Sequence, residues 1–317
     1  MSQKNKNITL SIILGLLVLI SIILGTTESS VSNTIKNTDI FSIQDTAKVD
    51  QISINSAKEN LQLTKVNGTW LLNDEFKAEQ NIVKILLSIL KDVEVTRSVP
   101  NAKQGEISAS IKENGFLVKI YGDGELFNSF YSSGNENKTV SYFMEFDKTQ
   151  PYITNIPGYG SYIAGIFEIP VNDWRDRLIL STNWRTLQKL NINYTEFPEY
   201  DLAIQFNFNF LTVEGVQVLD TSKMMAFIDE FNFLQTDRYL VKGQNEKYDS
   251  LLQTPATVSL SIEDINSANS KNITFFPLLP DDPMMLGYVI EDEQMVLFEA
   301  QRIQQLFAVK DDFEMME

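Results

Sequence analysis

The stretch DIFSIQDTAKVDQISIN (39–55) lies without gaps on RLILSTNWRTLQKLNIN (177–193), and this internal repeat constrains the fold more than any single motif. Phe41 meets Ile179, Val49 meets Leu187, Ile52 meets Leu190 and Ile54 meets Ile192. After a short insertion the register resumes. Leu61 and Leu63 fall on Leu202 and Ile204, while Val83, Leu86, Leu87, Leu90 and Val93 fall on Met224, Phe227, Ile228, Phe231 and Leu234. Arg97 falls on Arg238. The matched positions are mostly apolar and recur at strand and helix periods, so the repeated feature is a core. A weaker match sets LVKIYGDGELFNSFYSS…VSYFMEFD beside TVSLSIEDI…NITFFPLL…LGYVIED, with a short helical segment closing each, over 159–167 and 302–309. The expected architecture is α+β: a tandemly duplicated, β-rich pair of halves, 39–170 and 171–317, with a few amphipathic helices.

Within that frame the strands are short. Apolar alternation places them at 51–55, 60–66, 70–73, 116–121, 126–132 and 140–146, then at 189–194, 201–207, 210–213, 257–263, 272–276, 287–291 and 295–298. VNGTW (66–70) carries the Asn-Gly pair that suits a type I′ hairpin. AEQNIVKILLSILKDVEV (78–95) predicts a helix with Ile82, Leu86, Ile89, Leu90 and Val93 on one face. DTSKMMAFIDEFNFLQ (220–235) predicts a second, capped by Asp220 or Thr221 and buried through Met224, Phe227, Ile228, Phe231 and Leu234.

The start of the chain reads differently. Lys4 and Lys6 precede an uncharged, mostly apolar run over 8–25. At about 1.5 Å per residue such a run reaches about 27 Å, close to the bilayer core. The basic flank puts residues 1–7 in the cytoplasm and the rest outside it. A cleaved signal peptide is the rival reading, but the exit LGTTESS lacks an A-x-A-like site. The expectation is therefore a single uncleaved span in the inner membrane, a Ser/Thr/Asn-rich linker over 26–38, and a periplasmic remainder with an acidic C-terminal tail.

Composition removes whole classes of chemistry. The chain has no cysteine and no histidine, so disulfides, thiolate nucleophiles, Cys/His zinc sites and histidine-based triads are excluded. A net charge of −16 argues against a nucleic-acid partner. Acidic clusters at Asp281–Asp282, Glu291–Asp292–Glu293 and Asp311–Asp312 lack EF-hand spacing and read as solvated turns. No catalytic residue, cofactor site or metal site is assigned. A carboxylate-only hydrolase, such as a glycosidase, survives as a minor alternative because it needs only two facing acids.

One segment stands out: NIPGYGSYIAGIFEIPVNDWRDR (155–177). Its glycines, Gly158, Gly160 and Gly165, do not form G-x-G-x-x-G, so a phosphate loop is not indicated. Asp173, Trp174, Arg175, Asp176 and Arg177 suggest a salt-bridge cluster around a packing anchor, and Tyr159 and Tyr162 offer rings to a glycan. These seven residues are the candidate seam between halves, or the candidate ligand site.

The whole pattern resembles the DUF4340 family as found in Bacteroidota. The resemblance rests on NGTWLLN (67–73), the helix ending LLSILKDVEVTRSVP (86–100), NIPGYGSYIAGIFEIP (155–170), DWRDRLILS (173–181) and the second helix up to TDRYL (236–240). It implies a membrane-anchored or exported protein with no catalytic residues to carry over. It also implies an accessory role beside gliding-associated ABC-type transport components. The function expected is a non-enzymatic envelope scaffold in a transport, secretion or gliding complex; the alternative is a periplasmic module binding glycan or another envelope ligand.

Overall fold

In a computed structural model the structure describes residues 38–160 and 162–315. The apolar run 8–25 and the linker before Thr38 lie outside the described residues, and among those described no helix is long and apolar enough to cross a membrane. Helices and antiparallel sheets are mixed, as an α+β chain requires. The chain divides into two compact units. One contains the described residues of 38–49 and 87–167, the other 50–86 and 168–315. These units are not the expected halves 39–170 and 171–317, because 50–86 belongs with the second unit.

The chain opens with β1 (Val49–Asn55), β2 (Asn60–Val66), β3 (Thr69–Leu72) and β4 (Phe76–Lys77), an antiparallel meander in the order β4-β3-β2-β1. Its tightest turn is the expected one. Asn67 and Gly68 sit at φ 50° and 84°, which Asn and Gly tolerate, and Val66 pairs with Thr69 across them. Helix α1 (Gln80–Asp92) follows, burying Val83, Leu86, Ile89 and Leu90. Val83 takes the deep position expected of Ile82, which is only half-buried. The helix stops earlier than predicted because Glu94–Ser98 is a strand, β5.

Then comes a helix the hydrophobic pattern does not announce, α2 (Asn101–Asn114). Only Ser108 and Ile111 are buried, and its remaining face is polar, so it carries no amphipathic signal. Strands β6 (Phe116–Gly122), β7 (Glu125–Gly134), β8 (Ser141–Glu145) and β9 (Tyr152–Asn155) form a second meander, with β5 added beside β9. Phe41, Phe130, Phe143 and Phe167 pack there ring against ring, with centroids 4.8–6.1 Å apart. The expected closing helix over 159–167 is a 3-10 helix, Ile163–Glu168.

The remaining chain forms β10 (Leu178–Leu180), β11 (Leu187–Tyr194), β12 (Leu202–Asn207), β13 (Phe210–Val213), α3 (Thr221–Asp229), β14 (Leu234–Gln235), β15 (Arg238–Leu240), α4 (Glu246–Leu251), β16 (Val258–Asp264), β17 (Lys271–Phe275), β18 (Met284–Val289), β19 (Gln294–Glu299) and α5 (Ala300–Gln304). Eight of these strands make one antiparallel sheet, β13-β12-β11-β16-β17-β18-β19-β15. Helix α3 is capped by Asp220, whose carboxylate accepts from the Lys223 N–H at 3.0 Å. Met224, Ile228 and Phe231 are fully buried against the sheet, together with Leu190, Ile204 and Phe298.

Positions equated by the sequence repeat hold equivalent bonds. Ile52 pairs with Leu63 and Ile54 with Leu61; in the later stretch Leu190 pairs with Ile204 and Ile192 with Leu202. Leu63 pairs with Leu72 as Ile204 pairs with Val213. β5, which holds Arg97, pairs with β9, and β15, which holds Arg238, pairs with β19. The correspondence extends further than the sequence match. The Glu79 N–H donates to the Trp174 carbonyl at 2.7 Å, and the Asp220 N–H to the Phe313 carbonyl at 2.9 Å. The Asp176 N–H donates to the Lys77 carbonyl at 2.8 Å, and the Met315 N–H to the Val218 carbonyl at 2.9 Å. Ala78 bridges Arg175 as Leu219 bridges Glu314. The acidic C-terminal segment thus contains a structural element, with Phe313 2% exposed at its centre.

Candidate functional site

The segment 170–177 is built by its prolines and its tryptophan. Pro170 begins a 3-10 turn, Val171–Trp174, and the fully buried Trp174 ring anchors it, with Nε1 donating to the Ile169 carbonyl at 3.2 Å. The backbone then runs antiparallel to the chain just before α1 through the Ala78–Arg175 bridge. This places the Arg175 side chain inside the unit rather than on its surface.

Arg175 is 8% exposed and lies between two rings: its guanidinium carbon is 3.6 Å from the Phe76 ring centre and 3.7 Å from that of Tyr239. A planar, weakly hydrated cation can use both faces in this way. Its Nη1 donates to Gln294 Oε1 at 2.9 Å, while Nε is buried without a hydrogen-bond partner. Burial lowers the guanidinium pKa below its ordinary value, opposed by the nearby Tyr239, Glu75 and Asp292. The Tyr239 hydroxyl donates to the Asp176 carbonyl at 2.9 Å, which fixes the ring that covers the cation.

The four charges of this segment do not form the salt-bridge cluster their spacing suggests. Among the described residues, the Asp176 carboxylate pairs with Lys77 at 2.5 Å and accepts from the Leu178 N–H at 3.1 Å. Arg177 is exposed, and its carbonyl accepts from the Thr236 N–H. Asp173 is half-buried in the 3-10 turn. Tyr159 and Tyr162 belong to the other unit. Tyr159 is 58% exposed, and the Tyr162 ring lies against Gly134, where any side chain would collide with it. Phe76, Tyr239 and Gln294 carry no local sequence signal, since their role depends on strands far apart in the chain.

A second polar site was not legible at all. Asp282 accepts from the Tyr248 hydroxyl at 2.8 Å and pairs with Lys247 at 2.5 Å, so this acid is buried, in contrast to the solvated turn expected. Burial pushes its carboxyl upward, but bonds from Lys247, the Met284 N–H and Tyr248 outweigh that and hold it below the usual value. The cleft alongside, about 560 Å³, is lined by Asp237, Arg238, Lys247, Tyr248 and Glu299. Asp237 is held there by Arg302 at 2.6 Å and by the Glu299 N–H at 2.8 Å. Among the described residues no group of three or more acidic side chains is placed to hold a metal ion.

No protein-family model, no curated protein and no solved structure matches this chain.

The Tyr239 environment sets an alkaline limit. Burial pushes its hydroxyl up to about 12, with Arg175 acting in the opposite direction. The folded chain therefore keeps a proton that the unfolded chain releases near pH 10, and stability declines as pH rises from about 10 to about 12. The expected loss from this group is about 2 kcal/mol across that window. Chemical unfolding at pH 9 and pH 11 should show a smaller difference for Tyr239→Phe than for wild type. An equal difference would show that Tyr239 does not set the limit.

Proposed function

We propose that this chain is a tandem duplication, with copies over 39–176 and 177–315, held outside the membrane by residues 8–25 and acting as a non-enzymatic scaffold. The envelope complex it serves is of the transport, secretion or gliding-associated ABC type that the DUF4340 resemblance implies. Support for the duplication comes from the equated pairs, above all the four hydrogen bonds through which Trp174 and Asp176 in one stretch, and Phe313 and Met315 in the other, close equivalent segments. On this reading the boundary moves from 170/171 to 176/177, because Trp174 and Arg175 complete the first copy.

The observation that carries the scaffold reading is the Arg175 sandwich. It sets a residue from the end of the first copy between a ring of that copy, Phe76, and a ring of the second, Tyr239. Such a buried, ring-clamped cation suits a joint that must stay rigid. Of the seven candidate seam residues, Tyr159, Tyr162, Asp173, Trp174, Arg175, Asp176 and Arg177, this reading keeps Trp174, Arg175 and Asp176.

In-cell crosslinking of tagged full-length protein tests the assignment. The expected result is reproducible recovery of an integral membrane transport component, lost when residues 8–25 are replaced by a cleavable export signal. Recovery of no membrane-complex component would overturn the scaffold reading.

A further inference from the structure

The two copies differ in chemistry at one hairpin. Lys65, Asn67 and Thr69 flank and form the β2–β3 turn, and the equated positions at the β12–β13 turn are Phe206, Phe208 and Phe210. The pairing is the same in both: Lys65 with Trp70, and Phe206 with Leu211. Three polar side chains are thus replaced by three phenylalanines, exposed by 45%, 91% and 63%. Phe208 also sits at φ 58°, where Asn67 holds φ 50°. Asn accepts this left-handed backbone readily, whereas a bulky side chain there is strained by about 1–3 kcal/mol. Neither the exposure nor the strain benefits the isolated fold.

Behind the hairpin lies the second difference. Trp70, 5% exposed, fills its place in the first copy; the equated residue in the second is the smaller Leu211. A cavity of about 690 Å³ opens there, walled by Trp184, Phe206, Phe210, Leu211 and Met224. That is the size and character of a small-ligand pocket. Its lining contains one charged residue, Arg185, whose guanidinium carbon stands 4.2 Å from the Trp184 ring centre. In a chain with 42 acidic residues, none lines this cavity.

We propose that the cavity beneath the β12–β13 hairpin binds a single long acyl chain with an anionic head group, the chain among the aromatic and aliphatic walls and the head on Arg185. A cavity with aromatic and aliphatic walls, neutral polar groups at Asn209, Thr212, Gln217 and Thr221, one cation and no acid complements that chemistry and repels a cationic amphiphile. Phe206 and Phe210 form part of the wall, and Phe208, at the tip between them, offers the chain an apolar path from water or from a bilayer. The site rests on the equivalence of the copies and not on the scaffold assignment, so loss of a crosslinked partner and loss of this ligand are separate results.

The test is equilibrium binding of radiolabelled palmitate to full-length protein in phosphatidylcholine nanodiscs, with binding to empty discs subtracted. Wild type is expected to take up one palmitate per chain saturably. Leu211→Trp, which restores the residue of the first copy, is expected to abolish this uptake. Arg185→Gln, at an exposed position where folding is not at issue, is expected to weaken palmitate about tenfold while leaving methyl palmitate unchanged. Absence of saturable uptake by wild type would overturn the proposal. So would methyl palmitate binding wild type as tightly as the acid, or unchanged palmitate binding in Arg185→Gln. Uptake of an extended apolar nonapeptide in place of palmitate would also overturn it, in favour of strand addition at β13.

Discussion

Trp174→Ala is expected to cost about 3–5 kcal/mol of stability, a large effect for one side chain. The ring is fully buried, so its removal forfeits the apolar burial and leaves a cavity that the surrounding strands fill only in part. It also frees the Ile169 carbonyl that Nε1 satisfies. The loss has a local consequence as well, because the Trp174 carbonyl receives the Glu79 N–H at the entrance of α1. Urea unfolding of the full-length protein should show a lower midpoint with little change in slope. A loss below about 1 kcal/mol would mean that the turn does not depend on its tryptophan.

Arg175 gives the second large effect, and its sign depends on the replacement. Arg175→Ala should cost about 2–4 kcal/mol, since it removes two ring contacts, opens the space between Phe76 and Tyr239, and leaves Gln294 Oε1 without its donor. Arg175→Met should stay within about 1 kcal/mol of wild type. It fills the same slot while removing a desolvated charge and the unpartnered Nε, and apolar replacements of buried charged groups are often neutral or better. Arg175→Lys should fall nearer to alanine, because an ammonium cannot present two flat faces to two rings. Equal losses for Ala and Met would show that the charge, not the packing, holds the joint.

The apolar register was the most legible feature, because a core imposes periodic apolar positions on the sequence. Ile52, Leu63, Leu190 and Ile204 are all buried in the register that the alignment equates. The Asn67–Gly68 turn was legible for a different reason: few residues accept its backbone. Helix α2 was not, since a helix that buries only Ser108 and Ile111 leaves no stripe to read. Strands β5, β9 and β15 were missed because EVTRS, YITN and RYL show no apolar alternation, and β5 follows α1 with only Val93 between them. At the candidate seam, Trp174 was read as a packing anchor and is fully buried, whereas Arg175 was read as one member of a cluster of neighbouring charges. The partners that matter for Arg175 are aromatic and remote in sequence, and a tertiary sandwich has no local period. Phe206 and Phe210 were visible as part of two strands, with Phe208 in the turn between them. Their exposure stands out only when the hairpin is set beside Lys65, Asn67 and Thr69, the positions that the sequence alignment equates with them.

Amide hydrogen exchange on full-length wild type, Trp174→Ala and Phe313→Ala tests the duplication most directly. If each copy is closed by its own tail, Trp174→Ala speeds exchange at the Glu79 and Asp176 amides before the Asp220 and Met315 amides respond, and Phe313→Ala reverses the order. The same response of all four amides to both substitutions would contradict two separately closed copies.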